Sequence, residues 1–269
     1  MPELPEIETI TQGIQNLVGQ KISDIIVRNE SLRYPIESNL KYKLIDKKII
    51  AITRRAKYII IKLNYGFLII HLGMSGSISL SDLSNVDKKH DHFDLICGNI
   101  ILRYNDPRRF GCIIYTDNAI EKHKLFSSLG PEPLSNNFNA NYLISKINNR
   151  NSSIKQLIMD NHIVVGIGNI YACEALYKSN ILPTRAGNTI NETEAERLVQ
   201  NIQVVLKSAI ELGGSSLRDY KKTDGTIGYF QNEHFVYGKT NEQCKSCNNL
   251  IIAKRIAGRN SFYCPYCQV

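Results

Sequence analysis

Gly130-Pro131-Glu132-Pro133 divides the chain into two textures. Two prolines and a glycine in four residues can continue neither a helix nor a central strand, so the stretch reads as a linker. Before it lie short β-rich runs at 21–27, 49–53, 58–63, 67–71, 77–80, 93–97, 100–104 and 112–115. Turn signals separate them at Asn64-Tyr65-Gly66, Gly73, Gly76, Gly98-Asn99 and Asp106-Pro107. Many short strands so spaced predict a sandwich or barrel. One helix precedes them. Pro5 sits near its first turn, Glu6 and Glu8 favour its positive end, and Ile7, Ile10, Ile14, Leu17 and Val18 share one face, with Gly19 as the stop. After the linker the period becomes helical, at 141–148, 153–161, 169–178 and 192–212. Asn191 and Glu194 form a capping-box pattern ahead of the last helix, and Gly213-Gly214 ends it. A loop at 219–228 then leads to a small cysteine-rich tail.

The 269 residues carry 33 Lys+Arg against 25 Asp+Glu, a formal net charge of +8. That balance suits a polyanionic partner, and also suits a basic protein without one. Apolar side chains at 43% and charged ones at 22% describe a folded globular chain and exclude a disordered one. No apolar run approaches the roughly 18 residues of a membrane span. The opening Met1-Pro2-Glu3-Leu4-Pro5-Glu6 is acidic and proline-broken, unlike a secretory signal, so a cytoplasmic protein is expected. There is no internal repeat and no low-complexity tract.

Seven cysteines in such a chain argue against a disulfide framework, and four of them crowd into the last 26 residues. Cys244-Lys245-Ser246-Cys247 and Cys264-Pro265-Tyr266-Cys267 stand 16 residues apart, the spacing of a four-cysteine zinc site. Each pair suits a tight knuckle, and the spacer is long enough for two short strands. Four thiolates close the coordination shell, so the metal is expected to be structural. It would hold a basic hairpin carrying Lys254, Arg255, Arg259 and Asn260, which suits a nucleic-acid backbone or a solvated face. Cys97, Cys112 and Cys173 read as small buried apolar residues.

Methionine is usually clipped before a residue as small as Pro2, which would leave a secondary amine at the terminus. An α-amino group has an ordinary pKa of about 8, well below a lysine's, so a fraction of it is neutral near pH 7 and can attack an aldehyde or a sugar C1′. Glu3 and Glu6 put acid and base groups close by in sequence. The same residues also serve as a plain helix entry.

These pieces recur together in one family. Met1-Pro2-Glu3-Leu4-Pro5-Glu6-Ile7-Glu8-Thr9, Arg54-Arg55-Ala56-Lys57-Tyr58, His71-Leu72-Gly73-Met74-Ser75-Gly76, Lys89-His90-Asp91-His92, Asp106-Pro107-Arg108-Arg109-Phe110-Gly111, Gly130-Pro131-Glu132-Pro133-Leu134, Gly166-Ile167-Gly168-Asn169-Ile170-Tyr171-Ala172 and the cysteine tail resemble the bacterial formamidopyrimidine-DNA glycosylases in order and spacing. The resemblance implies an α+β fold: a helix and antiparallel β-sandwich catalytic domain over 1–130, a linker over 131–150, a helical DNA-binding domain with a helix–two-turn–helix over 151–230, and a zinc finger over 235–269.

It further implies a monomeric DNA-repair enzyme with one structural Zn2+. Such an enzyme excises oxidised purines, chiefly 8-oxoguanine and formamidopyrimidines, from double-stranded DNA and nicks the abasic site by β,δ-elimination. Pro2 resembles the nucleophile, Glu3 the proton donor and Glu6 a supporting carboxylate. Lys57 resembles the lysine beside the phosphate and sugar, and Arg259 the residue tied to the second elimination. Met74, Arg108 and Phe110 match residues inserted where the damaged base leaves, Arg108 also reading the opposite cytosine. His90 and Arg150 match DNA contacts. Asn169 opens a helix whose N–H groups favour a phosphate, and Lys155 is a further phosphate candidate.

Two departures bear on this. Thr226-Ile227 stands where many relatives have Lys-Pro, in the loop that holds the flipped base, and Arg150 stands where relatives can have a lysine run. The related endonuclease VIII branch, which acts on oxidised pyrimidines, typically has Gly where this chain has Leu4. A non-catalytic zinc-ribbon DNA-binding protein is the reading from another class, and a retained Met1 would favour it.

Overall fold

The computed structural model describes residues 2–215 and 223–269. Met1 and 216–222, which include Lys221-Lys222 at the start of the loop at 219–228, lie outside the described residues. The chain forms two compact units, Met1–Ser127 with Leu212–Gln231, and Ser128–Glu211 with Asn232–Val269.

The first unit opens on α1 (Leu4–Gly13), with Pro5 in its first turn. Ile7 and Ile10 are buried on its inner face, and Ile14 just past its end. The helix predicted to run on to Gly19 ends early: a 3-10 turn covers Gln15–Leu17, and Gly19, at φ +88°, redirects the chain. The strands are β1 (Asp24–Val27), β2 (Ile49–Arg55), β3 (Tyr58–Leu63), β4 (Phe67–His71), β5 (Ser77–Asp82), β6 (Asp91–Cys97), β7 (Ile100–Asn105) and β8 (Cys112–Thr116), with the short α2 (Leu40–Leu44) between β1 and β2. They form two four-stranded antiparallel sheets, ordered β1-β6-β7-β5 and β2-β3-β4-β8. One core joins them: Ile25, Ile78, Phe93, Leu95 and Leu102 from the first sheet meet Ile52, Ile59, Ile61, Leu68, Ile70 and Ile113 from the second, with Ile7 and Ile10 of α1 and Ile14 just past its end. Burying each such side chain contributes about 1.5–3 kcal/mol. This is the antiparallel sandwich that the resemblance implied.

Two loops cross between the sheets side by side. β4 ends at His71 opposite Cys112 of β8, while β5 begins at Ser77 opposite Asn105 of β7. Residues 72–76 therefore carry the chain from one sheet to the other, and residues 106–111 carry it back alongside.

The second unit contains α3 (Ala140–Ile147), α4 (Ile154–Ile158), α5 (Asn169–Lys178), α6 (Glu192–Glu211) and a hairpin of β9 (Ile252–Ile256) and β10 (Arg259–Tyr263). α3 lies inside the stretch 131–150 read as linker and packs on α6. α4 is shorter than its predicted 153–161. Ser153 caps it, and after Ile158 the chain turns, with the Ile163 and Val164 N–H groups both donating to the Asp160 carbonyl. Residues 170–177 of α5 are all buried, which makes it the central helix, against α4, α6 and β10. The hairpin turns on Ala257-Gly258, both at positive φ, the geometry that matches the twist of the flanking strands. Among the described residues no helix is long and apolar enough to cross a membrane.

Candidate active site

Pro2 is buried ahead of α1, and Glu3 at the helix entry is 4% exposed. Glu6, one turn on, is 2% exposed and spends both carboxylate oxygens on backbone donors: Oε2 accepts the Glu3 N–H at 2.7 Å and Oε1 the Ser215 N–H at 2.8 Å. Gly214 lets the returning segment come this close. It sits at φ +81°, and a Cβ there would lie 2.8 Å from Glu6 Oε1. Glu6 thus braces the N-terminus against 212–215.

Lys57 occupies the two-residue turn between β2 and β3 and is buried to 9% exposure, with Ala56 before it at φ +54°. Arg54 fixes this turn. Its Nε donates to Glu8 of α1 at 2.7 Å and its Nη1 to the Ala56 carbonyl at 3.0 Å. His71, on the strand paired with β3, is pushed down to about 4 by burial and by the positive charges of Lys57 and Arg33. The neutral ring accepts the Gly73 N–H at Nδ1, at 3.1 Å.

The two crossing loops bring Met74, Arg108 and Phe110 together at the surface. Met74 and Phe110 are 42% and 46% exposed, and the Arg108 guanidinium lies 4.8 Å from the Phe110 ring centroid. Exposed apolar side chains topped by a planar cation are what an unstacking wedge needs. His90 is half-buried at φ +78°, its ring 6.2 Å from that of His92. In the loop that follows the undescribed residues, Asp224 Oδ1 accepts from the Thr226 N–H and hydroxyl at 2.9 and 2.7 Å, and Ile227 is exposed.

In the second unit Lys155 does not stand where a surface phosphate contact would. It is 1% exposed, and its ammonium donates to Asn169 Oδ1 and Ser261 Oγ, each at 2.5 Å. Asn169 opens α5 as expected, and its amide donates to the Asn260 carbonyl at 2.9 Å. One buried cation therefore joins α4, the start of α5 and the basic hairpin. Arg259 at the hairpin tip is exposed, and so is Arg150 after α3.

The sulfurs of Cys244, Cys247, Cys264 and Cys267 lie within 4.8 Å of one another. Cys244 and Cys267 are 3.8 Å apart, Cys247 and Cys264 3.5 Å. Four thiolates about 2.3 Å from a tetrahedral ion stand about 3.8 Å apart, so this set fits one metal ion. Two residues that the sequence does not mark as site residues hold the set. The Tyr177 hydroxyl lies 3.2 Å from Cys244 Sγ, and Gln268 accepts the Cys264 N–H while donating to the Ile181 carbonyl.

Residues 1–113 match the family model described as the formamidopyrimidine-DNA glycosylase N-terminal domain, and residues 129–221 the one described as its H2TH domain. The formamidopyrimidine-DNA glycosylase of Psychromonas ingrahamii is 46% identical over 269 residues, all of both chains. That of Legionella pneumophila is 48% identical over 270 residues, covering 100% of this chain and 98% of its own. A Lactococcus lactis Fpg variant in complex with Fapy-dG-containing DNA superposes with TM-score 0.92 at 36% identity, over 99% of each chain. The same protein in complex with abasic-site DNA gives TM-score 0.91 at 36% identity, again over 99% of each. Matches of this extent define a DNA glycosylase of base-excision repair, a hydrolase of N-glycosyl bonds. The chain belongs to the formamidopyrimidine-DNA glycosylase family.

Proposed function

We propose that the protein excises oxidised purines, 8-oxoguanine and ring-opened formamidopyrimidines, from double-stranded DNA and then cuts the strand at the abasic site, acting as a monomer. The observation that carries this reading is the pair of DNAs bound by its structural neighbours: one contains Fapy-dG, the other an abasic site. They correspond to the substrates of two successive steps. The buried Pro2-Glu3 start supplies the chemistry for both.

A base stacked in a duplex is out of reach, so the damaged nucleotide is first flipped out, at a cost of a few kcal/mol. Met74, Arg108 and Phe110 fill the gap, and the Arg108 guanidinium reads the orphaned cytosine. With Met1 removed, Pro2 presents a secondary amine whose neutral fraction carries the reactive lone pair. Its lone pair attacks C1′, and the C1′–N bond breaks with its electrons leaving on the base, which takes up the proton that the Pro2 nitrogen gives up. Glu3 gives a proton to O4′ as the C1′–O4′ bond opens, which leaves an iminium on Pro2. Loss of the C2′ proton then expels the 3′ phosphate, and loss of the C4′ proton the 5′ phosphate. Water hydrolyses the iminium and frees the amine.

Lys57 attends the phosphate and sugar during elimination, and Arg259 the second expulsion. Glu6, with both oxygens engaged by backbone N–H groups, braces Glu3 rather than moving a proton. His90 and Arg150 contact DNA beside the lesion, and the N–H groups at the start of α5 take a phosphate. Lys155 positions Asn169 and the hairpin rather than the DNA. The four cysteines hold one Zn2+, which fixes the Arg259 hairpin and stays outside the reaction.

Borohydride reduction in the presence of duplex DNA carrying 8-oxoguanine opposite cytosine tests this. The protein should become covalently attached, with the adduct on Pro2. In Glu3→Gln the rate of attachment should fall about 10²-fold, the scale of losing a positioned acid. An adduct confined to Lys57 would remove Pro2 from the mechanism.

A further inference from the structure

Asp106 lies at the end of β7, fully buried, where the second crossing loop begins. Its carboxylate gathers donors from both loops. Oδ1 accepts the Ser75 hydroxyl at 2.7 Å and the Arg108 N–H at 3.3 Å; Oδ2 accepts the Gly111 N–H at 2.9 Å and the Tyr104 hydroxyl at 3.2 Å. Its carbonyl accepts the Arg109 N–H at 3.1 Å and lies 2.9 Å from His92 Nε2. Ser75 closes the arrangement, its Oγ also accepting the Arg108 N–H at 3.2 Å. Burial, with Asp106 beside it, pushes the Tyr104 hydroxyl up, so it stays protonated and donates.

The turn needs this support. Arg109 sits at φ +57°, a conformation that costs a non-glycine residue on the order of 1 kcal/mol. The loops also touch backbone to backbone. A Cβ on Gly73 would lie 2.5 Å from the Phe110 carbonyl carbon, and one on Gly111 would collide with the His71 carbonyl. Met74 on one loop and Arg108 and Phe110 on the other are therefore displayed by a single hydrogen-bonded knot whose centre is one carboxylate and whose only side-chain bridge to the first loop is Ser75 among the bonds above.

We propose that Asp106 and Ser75 are positioning residues that preset Met74, Arg108 and Phe110 as one rigid wedge, and that through the Arg108 backbone they set how sharply the enzyme discriminates the base opposite the lesion. Arg108 offers only donors, which match the O2 and N3 acceptors of cytosine; the exocyclic amino group of adenine is a donor and opposes them. That discrimination holds only while the guanidinium is held in place, and its backbone N–H is shared between Ser75 Oγ and Asp106 Oδ1. Releasing the N–H leaves the exposed side chain free to follow either base.

This inference rests on the insertion role given above to Met74, Arg108 and Phe110. The test compares excision of 8-oxoguanine opposite cytosine and opposite adenine by the wild type, Ser75→Ala, Ser75→Thr and Asp106→Asn. Each protein is also trapped with borohydride on a single-stranded abasic-site oligonucleotide, which has no partner base to replace. Ser75→Ala should lower the cytosine-over-adenine ratio about tenfold, the scale of losing a hydrogen bond to a charged acceptor, and leave single-strand trapping unchanged. Ser75→Thr, which keeps the hydroxyl, should restore the ratio. Asp106→Asn should lower it further; because that carboxylate also accepts from the Tyr104 hydroxyl and the Gly111 N–H of the sandwich, the serine pair decides. A ratio in Ser75→Ala within twofold of wild type, or a parallel loss of single-strand trapping, overturns the inference while leaving the enzyme's function intact. A wild type that shows no preference between the two partners overturns the insertion role itself, and this inference with it.

Discussion

His71 holds a position in which charge state and loop geometry are one question. Burial and the nearby positive charges of Lys57 and Arg33 depress it to about 4, from an ordinary 6.5. Its neutral Nδ1 accepts the Gly73 N–H at the root of the Met74 loop. As pH falls through 6.5 the unfolded chain binds this proton and the folded chain does not, so stability is full above about pH 6.5 and is lost progressively toward pH 4. His234 adds to the same window, also depressed to about 4 by burial and by Lys239. Thermal midpoints measured from pH 7.5 to 4.5 should fall with acidification, and His71→Asn should flatten that fall relative to its own value at pH 7.5. An unchanged slope would mean that His71 is not held neutral. The sequence displays His71 inside a motif yet gives no sign of this role, because the depression comes from burial in the folded unit and from Lys57 and Arg33, 14 and 38 residues away along the chain.

Most strands were legible because their residues carry the signal locally. Tyr58–Leu63 and Phe67–His71 are short β-branched and aromatic runs bounded by Asn64-Tyr65-Gly66, and they appear at the limits predicted. α2, five residues long, is too short to show a period. The end of α4 depends on a turn closed by Asp160, a backbone choice that periodicity does not register. The cysteine hairpin shows the same division. Its spacing announces the ligands, while Tyr177 and Gln268, which hold them, come from outside that spacing. The small cluster around it contains Cys173, Tyr177, Val236, Ile251, Cys244 and Cys264, too little apolar surface to order the hairpin alone. Zinc removal, or Cys247→Ser, should therefore disorder β9 and β10 and free Arg259. Circular dichroism should change little, since two five-residue strands are lost, whereas duplex binding should weaken by about 10²-fold or more. Amine trapping on a free abasic-site aldehyde at high concentration should survive, because that step uses Pro2 and not the metal. Loss of trapping with duplex binding intact would put the metal at the reaction centre.

At the scale of the whole molecule, what the sequence did not disclose is that Leu212–Gln231 rejoins the N-terminal unit after the chain has built four further helices. Gly213-Gly214 was readable as a helix stop. That Glu6 waits for the Ser215 N–H beyond it was not, because a bond spanning 209 residues leaves no periodic trace. Charge behaves differently, since +8 is visible in the composition but says nothing of which cations meet DNA. On the proposed reading Lys57 and Arg108 in the first unit and Arg150 and Arg259 in the second are the cations expected at the DNA, whereas Lys155, 1% exposed and bound to Asn169 and Ser261, is not counted. Four neutralised phosphates predict a slope of log K against log salt of about −3.6 on duplex DNA. Arg150→Ala and Arg259→Ala should each make that slope shallower by about 0.9. Lys155→Ala should weaken binding at every salt concentration, by loosening Asn169 and the hairpin, and leave the slope where it was. Titrations of a lesion-free duplex between low and moderate salt separate the two behaviours. A slope that shifts by about 0.9 in Lys155→Ala would mean that its ammonium reaches a phosphate after all, and the buried network joining α4, α5 and β10 would have to open when DNA binds.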